Sequence, residues 1–151
     1  MDTVVSLPDP ARAVRQARRA CADILTRWKC DAESVEDAVL IVSEIVTNAI
    51  RYCAGPVQLR LSRAADYIRV EVTDSSADEP RLLDARPDDE SGRGLRIVNQ
   101  LATRWGHRPV GNGKQVWADL PYRAAARKGG SRPSRRSGRD DLADAPWAAA
   151  D

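Results

Sequence analysis

Residues 57–74, VQLRLSRAADYIRVEVTD, contain two runs of period-two alternation: Val57, Leu59 and Leu61, then Ile68, Val70 and Val72. A strand points successive side chains to opposite faces, so each run offers one apolar face to a core. Ala64-Ala65-Asp66 between them reads as a turn, which predicts antiparallel strands over 57–62 and 67–73. Upstream the period changes to that of a helix. Val35, Ala38, Val39, Val42, Ile45, Val46, Ala49 and Cys53 form one stripe over 34–53, opened by Ser34 with Asp37 as a variant capping box and closed by Gly55-Pro56. An earlier helix is expected over 10–29, begun by Asp9-Pro10 and striped by Val14, Ala17, Cys21, Ile24, Leu25 and Trp28. Residues 3–7 read as a short strand before it. Downstream, 74–91 has almost no periodicity and is dense in Ser, Asp, Pro and Glu. Helical spacing returns over 94–103 through Leu95, Val98 and Leu101. The strands 105–110 and 115–120 then close as a hairpin about Gly111-Asn112-Gly113. This order predicts an α+β two-layer sandwich, with helices on one face of a mostly antiparallel, mixed sheet.

The 151 residues fit one domain, and 42% hydrophobic content is enough for its core. The domain is expected over 1–122. Beyond it, 123–151 is rich in Arg, Ala, Ser and Gly and is expected to be a disordered tail. That tail holds seven basic and four acidic residues, so the formal charge of +2 leaves the first 122 residues at −1. A folded part without basic excess argues against direct nucleic-acid binding by the core. The tail alone could act as an electrostatic tether, or simply as a solubilising end. No apolar run reaches the ~18 residues of a membrane span, and the first ten residues lack the basic and apolar blocks of a secretory signal. Cys21, Cys30 and Cys53 form no Cys-x-x-Cys, so buried thiols in a reducing cytoplasm are expected. The single histidine, His107, speaks against a histidine-based metal site.

Three clusters carry chemistry. Glu44 and Asn48, four residues apart on one helix face, put a carboxylate beside an amide away from the centre of the apolar stripe. Such a pair suits a general base next to a magnesium-coordinating carbonyl, and suits a solvated surface pair equally well. Asp74 ends its strand, where it can accept from an exocyclic amine or start an Asx turn into Ser75-Ser76. Gly92-Arg93-Gly94-Leu95 stands immediately ahead of the third helix, where glycines and a helix amino terminus can receive an anion or merely form a hinge. Gly111-Asn112-Gly113-Lys114 is not a Walker-type phosphate loop, because Gln115 follows the lysine and no glycine stands five residues before Gly113.

In content and order, Glu44-Ile45-Val46-Thr47-Asn48-Ala49, Val70-Glu71-Val72-Thr73-Asp74 and Gly92-Arg93-Gly94-Leu95-Arg96-Ile97-Val98 resemble the GHKL (histidine kinase-like) ATPases. Within that group the chain is most similar to the RsbW-like anti-sigma-factor serine/threonine kinases of actinobacteria. The resemblance covers about 10–121. It implies a Bergerat-type ATP site with 75–91 as its lid loop and ATP and Mg2+ as cofactors. Carried over by position, Glu44 is the catalytic base, Asn48 the magnesium ligand and Asp74 the adenine partner, and Gly92, Arg93, Gly94 and Leu95 contact the nucleotide. The implied partners are a sigma factor and an anti-sigma antagonist protein, and homodimerisation is expected. One departure stands out: Asp74-Ser75-Ser76-Ala77-Asp78 replaces the wider group's Asp-x-Gly-x-Gly. The alternative to a kinase is therefore an ATP-binding regulatory module that holds its partner without phosphorylating it. A full sensor histidine kinase is not expected, since it needs a helical phosphoacceptor segment and His107 falls in a predicted strand.

Overall fold

The computed structural model describes residues 1–52, 55–75 and 90–126. Cys53, the greater part of the expected lid and all but the first residues of the tail lie outside the described residues. The chain runs β1 (Asp2–Leu7), α1 (Pro10–Arg27), α2 (Ala32–Tyr52), β2 (Val57–Arg63), β3 (Tyr67–Asp74), α3 (Glu90–Leu101), β4 (Arg104–Val110) and β5 (Gly113–Pro121). One five-stranded sheet has the order β1-β2-β3-β5-β4, and each neighbouring pair is antiparallel. The expected α+β sandwich is present. α1 lies against β1 and β2, α2 against β3 and β5, and α3 against α2 and β4.

Local chemistry sets the helix limits. Asp9 caps α1 by accepting from Ala11 N at 3.0 Å, and Pro10 fills the first position, where its missing N–H costs nothing. The helix stops at Arg27, two residues before the expected end, because Lys29 turns left-handed at φ 62°. Cys30 N then bonds Leu25 O, and Lys29 N bonds Thr26 O, a Schellman closure without glycine. The cap of α2 is Asp31, which accepts from Ser34 N at 2.8 Å, and not the expected Ser34. Ser34 lies inside the first turn, buried, and its hydroxyl has no partner among the described residues.

The segment after β5 explains why Asp31 takes that role. Arg123 O accepts from Asp31 N at 2.8 Å, Ala125 N donates to Lys29 O at 2.7 Å, and Arg123 pairs with Glu33. The Arg63 guanidinium stacks 4.0 Å from the Tyr122 ring and donates to Trp28 O. Arg123 and Ala125, which composition assigns to the tail, are thus fastened to the loop that opens α2.

The core lies between the helices and one sheet face, built from Val57, Leu59 and Leu61, from Ile68, Val70 and Val72, and from Ala38, Val42, Ile45, Val46 and Ala49 of the α2 stripe, to which the structure adds Ile41. Truncating a leucine as enclosed as Leu59 or Leu61 to alanine costs about 2–5 kcal/mol. Cys21 and Cys30 are buried free thiols, and burial pushes the Cys21 thiol up to about 12.

The opposite sheet face is polar and interlocked. Asp119 accepts from Arg69 Nε at 2.6 Å, from Arg69 Nη2 at 2.8 Å and from Arg104 Nη2 at 2.8 Å. Arg69 also lies 4.8 Å from the Trp117 ring. Arg108 bridges Gln115 and Glu71, and Gln115 donates to Thr73. Long arginines thereby cover Glu71 and Asp119, which are buried on a face that no helix among the described residues shields.

Candidate functional site

Glu44 and Asn48 occupy one flank of α2, half-buried beside the apolar stripe as the spacing requires. Seven residues before Glu44 on that flank, Asp37 is held above the usual carboxylate range, mainly by burial and then by Glu33. α2 starts at the sheet end where β5 finishes, because Arg123 is bonded to Asp31. At ~1.5 Å per residue, Asn48 lies ~24 Å along the helix. Asp74 lies seven residues along β3 from Tyr67, also ~24 Å at ~3.4 Å per residue. The second half of α2 therefore reaches the sheet end that carries Asp74.

On the helix-facing side, β3 and β5 are apolar rung after rung: Ile68 opposite Leu120, Val70 opposite Ala118, Val72 opposite Val116. The last rung changes character. Asp74 stands opposite Lys114, with Nζ to Oδ2 at 3.5 Å and side chains only 3% and 8% exposed. Gly113 makes this closeness possible: a Cβ there would land on the Asp74 carbonyl oxygen and 2.9 Å from its carbon. The turn before it spans Gly111 and Asn112, with Gly111 at φ 57°. The segment is a hairpin turn, as expected, and it also presses β5 against Asp74.

The structure moves the third cluster. α3 begins at Glu90, not at Gly94, so Gly92, Arg93, Gly94 and Leu95 lie within the helix rather than ahead of it. Gly92 and Arg93 fall in the first turn, where helix N–H groups lack internal partners and favour an anion; Gly94 and Leu95 come after it. Lys114 is the residue that the sequence reading missed. Its signal was the alternation Lys114, Val116, Ala118, Leu120, which puts the ammonium on the core face, but its partner became visible only with the β3–β5 register.

These positions allow a chemical division of labour. Asp74 is a buried acceptor at the sheet end, suited to an amine of a flat ligand edge. Asn48 offers a neutral carbonyl oxygen beside the Glu44 carboxylate. Among the described residues no group of three or more His, Cys, Asp or Glu side chains forms a metal cage. Magnesium nevertheless suits this donor set, because it commonly binds through one or two protein oxygens together with phosphates and water. Among the described residues no helix is long and apolar enough to cross a membrane.

Residues 7–120 match the model of the histidine kinase-like ATPase domain, and the chain belongs to that family, within the GHKL superfamily. Among solved structures it is similar to the RsbU and RsbW domains of Rv1364c from Mycobacterium tuberculosis, with a TM-score of 0.63 at 18% identity. That match covers 83% of this chain and 33% of the other, so the chain spans about a third of the length of that solved two-domain chain. At this identity the likeness concerns the fold. No curated protein matches the chain.

Proposed function

We propose that the chain is an ATP-dependent serine/threonine protein kinase of the anti-sigma-factor type. It phosphorylates an antagonist protein and sequesters a sigma factor, acting as a cytoplasmic homodimer. The observation that carries this reading is Glu44 and Asn48 on one half-buried flank of α2, reaching toward the sheet end that buries Asp74, in a chain of the histidine kinase-like ATPase family. The fold likeness to a protein with an RsbW domain agrees with it.

Bound with magnesium, ATP supplies the γ-phosphoryl group. Asp74 orients the base by accepting from its exocyclic amine. Asn48 would hold the metal through its side-chain oxygen, and the first turn of α3, which contains Gly92 and Arg93, would receive the phosphates with its free backbone N–H groups. Glu44 takes the proton from the attacking serine or threonine hydroxyl. Phosphoryl transfer chiefly needs positioning and charge neutralisation, which this set provides.

The test is calorimetry with Mg-ATP alongside transfer of labelled phosphate to a serine-bearing antagonist. Glu44→Ala is expected to bind nucleotide with little change while transfer falls by at least 100-fold. Unchanged transfer in Glu44→Ala removes that residue from the mechanism. Saturable binding by the parent without transfer to any antagonist leaves the regulatory binding module instead.

A further inference from the structure

The Asp74–Lys114 pair goes beyond that reading. A buried ion pair is poor as a stabiliser, because desolvation of both charges offsets most of their attraction, and apolar residues in its place are often as stable. Here it ends the apolar run that β3 and β5 share, with Asp74 opposite Lys114 and Pro109 of β4 on the other side of Lys114. The chain has 24 Lys and Arg residues, of which three are lysines, and one of those three is enclosed at this rung.

An ionised carboxylate only accepts hydrogen bonds and an ammonium only donates, with three protons to distribute. Set side by side, they offer an acceptor next to a donor. The Watson–Crick edge of adenine is the complement, with the N6 amine donating and ring N1 accepting. The corresponding guanine edge reverses the order and would turn O6 toward the carboxylate. We propose that Lys114 is a base-reading residue: it donates to adenine N1 while Asp74 accepts from N6, so that the last β3–β5 rung selects adenine by two contacts. This rests on the assignment of Asp74 to the nucleotide. A lysine serving only as the counter-ion of Asp74 would instead compete with the amine, and removing it would tighten binding.

The experiment is calorimetric titration of the full chain with Mg-ATP and Mg-1-deaza-ATP, which keeps N6 and lacks N1, in the parent, Lys114→Met and Lys114→Gln. Thermal melts check that each variant is folded. The parent is expected to bind ATP about tenfold or more tighter than 1-deaza-ATP, the scale of one hydrogen bond from a charged donor. Lys114→Met should bind ATP about tenfold more weakly and lose the discrimination, and Lys114→Gln, which retains an N–H, should recover part of it. Equal affinity of the parent for both nucleotides overturns the inference and leaves the nucleotide function intact, as does unchanged or tighter ATP binding by folded Lys114→Met. A parent that binds neither nucleotide overturns both. Should Lys114→Met fail to fold, the parent's ratio and that of Lys114→Gln decide.

Discussion

Replacing Asp119 with alanine removes the acceptor of three charge-assisted bonds on the sheet face away from the helices. At about 1.5–3 kcal/mol each, a simple sum would reach roughly 5–9 kcal/mol. The surroundings reduce it. The Arg104 side chain is 59% exposed and regains water when released, so its bond counts as a surface pair of about 0–1 kcal/mol. Arg69 is 26% exposed and keeps its stacking on Trp117, which leaves its two-point contact with the 2%-exposed Asp119 as the main loss. The expected cost is about 2–3 kcal/mol, and about 0.5 kcal/mol for Arg104→Ala. In urea denaturation followed by far-UV circular dichroism, Asp119→Ala should lower the midpoint by roughly 1–2 M at unchanged slope. Asp119→Asn should lose nearly as much, since its amide turns donors toward a guanidinium. A cost of Asp119→Ala no greater than that of Arg104→Ala would refute the view that buried acids under arginines hold this face together.

Two further predictions use the same protein in equilibrium unfolding. Gly113→Ala should cost about 2–3 kcal/mol, because its methyl group meets the Asp74 backbone; Gly111→Ala, with nothing within 4 Å and only a left-handed backbone to maintain, should cost about 1 kcal/mol, and Gly111→Asn less. Near-equal costs at the two sites would contradict the close approach of β5 to Asp74. Asp37 binds its proton more tightly in the folded state than in the unfolded chain, so its charge opposes folding above the usual carboxylate range, and stability falls as pH rises through that window. Asp37→Asn should therefore stabilise the protein at pH 7 by less than about 1 kcal/mol, with the gain gone near pH 3. A gain that persists at pH 3 would point to packing rather than charge.

The elements that pattern reading recovered are those in which side-chain period and burial coincide. The α2 stripe and the alternation of β2 and β3 belong to this group, because a slip in either would expose a whole apolar face. The misplaced boundaries share a different cause. Asp31, not Ser34, caps α2 because Arg123, distant in sequence, holds the Asp31 backbone in place. α1 stops at Arg27, closed by Lys29, a left-handed residue that is not glycine, and α3 runs through Ser91, Gly92 and Gly94, whose composition reads as loop. The candidate site divides in the same way. Glu44 and Asn48 could be paired from spacing alone, whereas Lys114 needed a register between strands some 40 residues apart.

The strand order has a consequence for synthesis. β5 is made last of the described elements, yet it lies between β3 and β4 inside the sheet. Between the emergence of β3 and that of β5 from the ribosome, some 47 residues apart, the new chain can pair β1, β2 and β3 and cover them with α1 and α2, but the β3 edge has no partner. At ~5–20 residues per second that interval lasts several seconds. Throughout it, the backbone beside Ile68, Val70 and Val72 is an open template for any other strand, so intermolecular pairing during translation, rather than loss of the finished fold, is the stage at which this protein is exposed to aggregation.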